Sequence, residues 1–308
     1  MASPFHPGER AIQSRAGVRD KIEAIGERMI RSTMTEQLRA FFPLLPWLLL
    51  GSLDADGQPH ASLLWGAPGF VHAPTPALLR VDARPEPDDP LARNLRPGAS
   101  LGALGLELPT RRRNRVNGAL AEDDPRGLAI AVRQAFGNCP KYIQARTWSP
   151  RERAAGPLEQ GEGHDPRWLA LLARADTLFL ASHHADPLAG GVDISHRGGP
   201  PGFLHPGPDG RLWLPDYSGN LLFNTLGNLL QEPRCGLLCV DFASGDLLQL
   251  EARVAVYWPE QLAALGVARS PGAERLLALT PGRWRLRRSR LPLAFGAPAA
   301  SPFLPAPT

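Results

Sequence analysis

Lysine is almost missing from this chain: Lys21 and Lys141 stand alone in a Lys+Arg total of 34. The formal net charge of +4 is therefore an arginine balance. Because 30 Asp and Glu residues are scattered throughout, the excess reads as a bias towards Arg rather than as a nucleic-acid-binding charge. Cysteine is scarce as well. Cys139, Cys235 and Cys239 are too few for a disulfide framework, and a reduced, cytoplasmic setting is expected. Long apolar runs are also lacking. The longest, Phe41 to Leu50, contains Pro43 and Pro46 and is far shorter than the roughly 20 residues a bilayer requires. The opening MASPFHPGER has no positive region followed by an apolar stretch, so no signal peptide is expected.

Several motifs are absent. No GxGxxG follows an expected strand, and GxxxxGK[ST], GxSxG, HExxH and paired CxxC do not occur. This excludes the usual dinucleotide, P-loop, hydrolase-elbow and zinc signatures. Cys235 and Cys239 would lie about 13 Å apart along a strand, too far for one ion. His183 and His184 would point to opposite faces. The expected partners are a small-molecule substrate or electron donor, with no metal, nucleic acid or membrane.

The chain does contain a repetition. Ser62 to Phe70 reads SLLWGAPGF, and Ser195 to Phe203 reads SHRGGPPGF; Ser, Gly, Pro, Gly and Phe agree in register. Upstream of each is an apolar run, WLLLGSLDADG from Trp47 and LFLASHHADP from Leu178. Downstream, LGALGLEL from Leu101 matches CGLLCVDF from Cys235. A period of roughly 130 residues points to two versions of a whole domain, packed together as a fused dimer would be.

Helical spacing of Ile12, Ala16, Ile22, Ile25, Met29 and Ile30 predicts one helix from about Glu9 to Arg31. Strands are expected at 47–53, 60–65, 78–81, 101–108, 113–120 and 128–136, with a helical turn at 89–95. The second half is expected to bring a helix at 166–174 and another at 220–230. Its strands are expected at 177–182, 191–197, 211–215, 235–242 and 247–258. Short strands joined by turns argue for a small antiparallel barrel in each half.

Four stretches carry candidate chemistry. In Asp193-Ile-Ser-His-Arg-Gly-Gly199 a strand ends in Ser195, His196 and Arg197, then glycines. Gly admits an anion to the backbone, and Arg offers a forked donor. The first half has Leu63 and Leu64 where the second has His196 and Arg197, so a polar site is expected in the second half. In Leu214-Pro-Asp-Tyr-Ser-Gly-Asn220 a polar turn precedes a helix, suited to phosphate or simply an N-cap through Ser218 or Asn220. In Thr110-Arg-Arg-Arg-Asn-Arg-Val-Asn-Gly118 a strand would place Arg111, Arg113 and Arg115 on one face and Asn114 with Arg112 on the other. It reads as a solvated edge or as a cationic wall facing an anion. In Phe136-Gly-Asn-Cys-Pro-Lys-Tyr-Ile-Gln144, Lys141 is notable in an arginine-using chain. Cys139 beside it is reactive or, more simply, buried and inert.

With these strings and FHPGE at Phe5, TRRRNRVNG, FNTLGNLL and GLLCVDFASGDLLQL, the chain resembles flavin-nucleotide-binding proteins related to pyridoxamine 5'-phosphate oxidase. The resemblance covers almost the whole chain. It implies a mainly β fold with flanking helices, as two tandem split β-barrels of the FMN-binding type packed as an intrachain pseudo-dimer. The corresponding division is residues 1–40 (helical), 41–148 (first barrel), 149–166 (linker), 167–293 (second barrel) and 294–308 (flexible Pro/Ala-rich tail). FMN would lie between the barrels. Its phosphate side would fall to Ser195, His196, Arg197, Pro215, Asp216, Tyr217, Ser218, Gly219 and Asn220. The facing half would contribute Asn114, Arg115, Asn138, Cys139 and Lys141. The segment RWRLRRSRLPL from Arg283 lacks the substrate-gripping pattern of the B6 oxidases. The implied function is an FMN-dependent oxidoreductase acting on a small molecule, with a homodimer of chains as a further expectation. Alternatives are a non-catalytic FMN module or electron-transfer partner, and a haem-binding split barrel using His183, His184 or His196.

Overall fold

The computed structural model describes residues 3–186, 190–207 and 209–305. Two helices, α1 (Pro7–Arg15) and α2 (Arg19–Met29), replace the single helix expected from periodicity. Gly17, at φ +70°, turns the chain between them. α1 begins with a capping box, since His6 and Glu9 satisfy each other's backbone amides. After α3 (Glu36–Phe41) come β1 (Trp47–Leu53), β2 (Pro59–Trp65), β3 (Val71–Thr75), β4 (Leu78–Val81), α4 (Leu91–Asn94), β5 (Ser100–Glu107), β6 (Arg112–Asp124) and β7 (Gly127–Asn138). Then follow β8 (Trp148–Pro150), β9 (Leu158–Glu162), α5 (Pro166–Leu172), β10 (Thr177–His183), β11 (Val192–Gly198), β12 (His205–Pro206) and β13 (Leu212–Tyr217). The chain continues with α6 (Asn224–Gln231), β14 (Arg234–Val240), β15 (Leu247–Tyr257), α7 (Pro259–Ala264), β16 (Ala273–Arg287) and β17 (Leu293–Phe295). No helix among the described residues is long and apolar enough to cross a membrane.

The first sheet runs β2-β1-β5-β6-β7-β4-β3 and the second β11-β10-β14-β15-β16-β13-β12, the same order with β9 added beside β16. Every pairing in both is antiparallel. The repeated sequence is thus a repeated topology. The repeated glycines have one job in each half: Gly66 lies under the ring of Phe70, and Gly199 under Phe203. A Cβ on Gly66 or Gly199 would meet those rings at 2.6 and 2.5 Å.

Strand alternation explains the continuous apolar runs. In β1, Leu48 and Leu50 enter the first half's own core, whereas Trp47 and Leu49 face the second sheet. In β10, Leu178 and Leu180 enter the second half's core, whereas Phe179 and Ala181 face the first sheet. Strands buried on both faces need no polar alternation. The shared core between the sheets also takes Leu63, Leu104, Ile194, Leu238 and Leu247.

Among the described residues neither large sheet closes on itself, and each ladder ends at unpaired edges. Edge strands β2 and β11 run into the seam, and their free carbonyls are met by side chains of the opposite half. Gln249 Nε2 donates to Ala61 O at 2.9 Å, and Arg115 Nη2 donates to Ile194 O at 2.8 Å. These cross-half bonds satisfy backbone groups that closure would otherwise pair. The seam is narrow: a Cβ on Gly236 would sit 2.4 Å from Pro59 O. Gly236→Ala is expected to cost about 1–3 kcal/mol by overpacking. Gly219→Ala, with open space around it, should change urea stability by less than about 0.5 kcal/mol.

Two further expectations change. Within the polar stretch 149–166, read as a linker, β9 pairs with β16. The segment read as a flexible tail is held by β17 pairing with β8 and by a bridge between Ala299 and Ala145. Residues 306–308 of that segment lie outside the described residues.

Candidate functional site

At one end of the seam, β5, β6 and β7 of the first half face β11, β13, β16 and the start of α6. Between them lies a cleft of about 100 Å³, open to solvent on one side. Strand alternation brings Arg113 and Arg115 of β6 to its wall. Arg197 of β11, Asp216 of β13 and Arg275 of β16 form the opposite wall.

The electrostatics of the cleft are uneven. Asp216 accepts from Arg197 Nη1 at 2.6 Å and Arg275 Nε at 2.8 Å. Arg115 Nη1 lies 2.5 Å from Asp193 Oδ1, and both residues are buried. Burial pushes the Asp193 carboxyl upward and the Arg115 guanidinium downward, and their ion pair offsets both. No carboxylate among the described residues pairs with Arg113. It donates instead to Cys139 O at 2.7 Å, Cys139 Sγ at 3.3 Å and His196 Nδ1 at 3.1 Å. Burial, with Arg115 and Arg197 nearby, lowers its pKa.

His196 is held neutral. Burial first, then Arg113 and Arg197, pulls its pKa well below the usual value. A guanidinium only donates, so Nδ1 must be the acceptor and the single ring proton is assigned to Nε2. That Nε2 has no protein partner, and neither do Arg115 Nε, Arg197 Nε and Asn138 Nδ2. Asn138 is oriented across the seam, its Oδ1 accepting from Asn220 Nδ2 at 3.2 Å. Four buried donors without acceptors thus belong to the residues lining one cleft, a pattern that calls for an explanation.

The loop from β13 to α6 supports this arrangement under strain. Leu221 and Phe223 adopt φ of +63° and +62°, costly for bulky residues. Fully buried Leu222 anchors the loop, and Gln13 of α1 donates to its carbonyl at 3.1 Å. α6 starts at Asn224 with no side-chain cap. The expected capping role of Ser218 or Asn220 is replaced by an Asn220 bond to the Leu222 amide at 3.2 Å. Behind this loop Glu9 accepts from Asn224 Nδ2, while Asn224 Oδ1 accepts from Arg115 Nη1 at 3.2 Å. Burial pushes the Glu9 carboxyl up to about 8.

Of the expected residues, Arg115, Asn138, Ser195, His196, Arg197, Asp216, Tyr217, Gly219 and Asn220 line the cleft. Five do not. Asn114 shares the other face of β6 with Arg112, beside a separate surface hollow. Cys139 stands behind Arg113 as its acceptor. Lys141 lies 5.7 Å over the Phe303 ring. Pro215 is buried one residue from Asp216, on the opposite face of β13. Ser218 is half-buried outside the lining set. Arg113, Leu104, Asn224, Thr225 and Arg275 line the cleft without having been assigned to it. Arg113 shares its face with Arg115, which the period of two already shows. Asn224 and Thr225 lie in the quoted FNTLGNLL, whereas Arg275 carries no local signal. His183, at the far end of β10, pairs with Val192, while His196 pairs opposite Phe179. The two imidazoles therefore do not share a site.

No family model matches this chain, and no curated protein matches it. Solved structures do show similarity. A Bacteroides thetaiotaomicron VPI-5482 protein provisionally described as a 5-nitroimidazole antibiotic resistance protein matches at 9% identity and TM-score 0.29. The match covers 46% of this chain and 95% of that one. The Agrobacterium tumefaciens C58 protein Atu2129, of unknown function, matches at 19% identity and TM-score 0.23, over 45% of this chain and 61% of that one. The Klebsiella pneumoniae MrkH–c-di-GMP complex matches at 11% identity and TM-score 0.24, over 82% and 87%. At these scores the likenesses decide nothing about the site.

Proposed function

We propose that the cleft binds FMN between two split-barrel halves packed as an intrachain pseudo-dimer, and that the chain is an FMN-dependent oxidoreductase acting on a small molecule. The observation that carries the reading is the set of buried, acceptor-less donors on Arg115, Arg197, His196 and Asn138. With the carboxylate-free Arg113, they suit a dianionic phosphate better than any neutral ligand. The residues fit such a group. Stacked Tyr142 and Tyr217, 5.0 Å between ring centroids, and the lining residues Leu104, Leu221 and Phe223 supply apolar surface for a flat ring.

A bound flavin supplies hydride and electron transfer. The chain's own residues bind and orient it. Arg113 supplies uncompensated positive charge and fixes the tautomer of His196, whose Nε2–H is left to donate. Asp216 keeps Arg197 and Arg275 in place. Tyr217, its phenol pushed up to about 12 by burial and Tyr142, stays protonated and neutral. The fit extends to an electron-transfer module without turnover, and steady-state oxidation of reduced nicotinamides by the flavin-loaded protein separates the two.

Arg113→Met is the cleanest test, because removing this cation strands no carboxylate. FMN affinity, read by quenching of flavin fluorescence, should fall about 10- to 100-fold, as for a lost charge-assisted hydrogen bond. Wild-type protein that leaves flavin fluorescence unchanged at saturating FMN would overturn the reading.

A further inference from the structure

The repeated topology gives each cleft residue a counterpart in the other half. Ser62 and Ser195 open the repeated strings. Gln249 and Arg115 donate to the edge-strand carbonyls of Ala61 and Ile194. Asn94 of α4 donates to Ser52 Oγ at 2.9 Å, and Asn228 of α6 donates to Ser182 Oγ at 3.0 Å, so the two helices correspond. Arg287 pairs opposite Leu247 as Asn138 pairs opposite Arg113, so Arg287 answers to Asn138. Ser195, Arg115 and Asn138 all line the cleft. Their counterparts Ser62, Gln249 and Arg287 converge on one point, and that point is filled.

The filler is the carboxylate of Asp89. Its Oδ1 accepts from Ser62 Oγ at 2.5 Å and from the Leu91 amide at 2.9 Å. Its Oδ2 accepts from Gln249 Nε2 at 3.2 Å and Arg287 Nη1 at 2.8 Å. Asp89 is 3% exposed and Arg287 1%. The rest of the Arg287 guanidinium is held by Glu86 and Asp88, and Arg290 pairs with the same two carboxylates. Two arginines of the segment from Arg283 are thus paired within the protein.

We propose that the first half contains a second anion seat, related to the cleft by the repeat, which the chain fills with its own Asp89 carboxylate. Ser62, Gln249 and Arg287 are the seat and Asp89 the resident anion; in the second half Arg115 is paired with Asp193, while the donors on Asn138, His196 and Arg197 stay without acceptors. The seat's chemistry is that of a small carboxylate held by one hydroxyl, two amides and one guanidinium. It stands on the geometry around Asp89 whether or not FMN binds the cleft.

Formate has the size and charge of the missing group, so it is the probe. Thermal melting of the full-length Asp89→Ala protein should be measured in sodium formate and in sodium chloride at equal ionic strength. Formate should raise the melting temperature saturably above the chloride value. Wild type and Asp89→Asn, in which the place is filled, should respond alike to both salts. Should Asp89→Ala fail to fold in chloride, folded yield on dilution from urea into each salt is the readout, and formate should raise it. The Asp89→Ala/Arg287→Met protein lacks the cation of the seat and should lose the formate response. Equal behaviour of Asp89→Ala in the two salts, or an undiminished formate response in the double variant, would overturn the proposal.

Discussion

Replacing Arg115 by methionine is expected to destabilise the protein by about 3–5 kcal/mol, the range for breaking a buried ion pair from one side. Arg115 is 4% exposed and Asp193 2%. Without the guanidinium, Asp193 keeps only the Thr225 hydroxyl at 3.2 Å, and Ile194 O loses its donor. The loss has a direction in pH. Burial already raises the Asp193 carboxyl, and losing Arg115 raises it further. A carboxyl raised in the folded state is most destabilising when ionised, so the variant's deficit should shrink as the pH falls and Asp193 takes up a proton. Urea midpoints at pH 8 and pH 5 measure both effects. Adding Asp193→Leu should restore most of the loss, because the stranded charge is then gone. A single variant within about 1 kcal/mol of wild type at pH 8 would mean that Arg115 and Asp193 are not buried as a pair.

The second large effect belongs to Glu9. Its carboxyl stands at about 8 in the folded chain against an ordinary 4.5, chiefly because of burial, with Asp193 adding to the rise. Above the ordinary value the unfolded chain releases this proton while the folded chain retains it. Stability therefore falls as pH rises from about 4.5 through 8, by roughly 5 kcal/mol in all. His6 cannot compensate: burial and His184 pull it to about 4, so it is neutral through most of that window. Arg115 works against the rise but is already paired with Asp193. Glu9→Gln cannot ionise, and its stability profile between pH 5 and 9 should lose most of this slope. Parallel wild-type and variant profiles from urea unfolding would show that Glu9 does not hold its proton.

Much of the β framework was legible because its signals are local. Continuous apolar runs at Trp47 and Leu178 mark strands buried on both faces, and the Ser-to-Phe repeat marks the same strand and turn in each half. β16 was not legible. Its 15 residues contain Pro281-Gly282, which reads as a turn but lies at a register shift opposite Leu250 and Ala252, where a bulge absorbs both. The helix break at Gly17 was hidden because the apolar period continues across it.

The site divides along the same line. The second-half residues Ser195, His196, Arg197, Asp216 and Tyr217 follow each other in two short strings, and all line the cleft. The first-half set was less well read. Asn114 and Arg115 are neighbours on a strand and point to opposite faces, so both could not line one wall; Arg113 takes the place given to Asn114. Glu9 and Arg275 reach the site or its surroundings through pairings across long stretches of sequence, which no local pattern records. A barrel in each half was expected from the run of short strands and from the resemblance, and neither reveals that Gln249 and Arg115 satisfy the edge carbonyls from the other half.

Residues 299–301 fasten the segment that follows β7 from a distance. Ser301 Oγ accepts from the Tyr142 amide at 3.1 Å, and the Ser301 amide donates to Gln144 Oε1 at 2.8 Å. Arg111 donates to the carbonyls of Ala299 and Ala300, both at 3.1 Å. All these partners flank the segment carrying Asn138 and Cys139. On the ribosome both sheets are made before this clasp is, and domains settle as the chain emerges. A growing polypeptide therefore has the strands of both sheets synthesised before the segment that fastens the loop after β7 to the rest of the molecule.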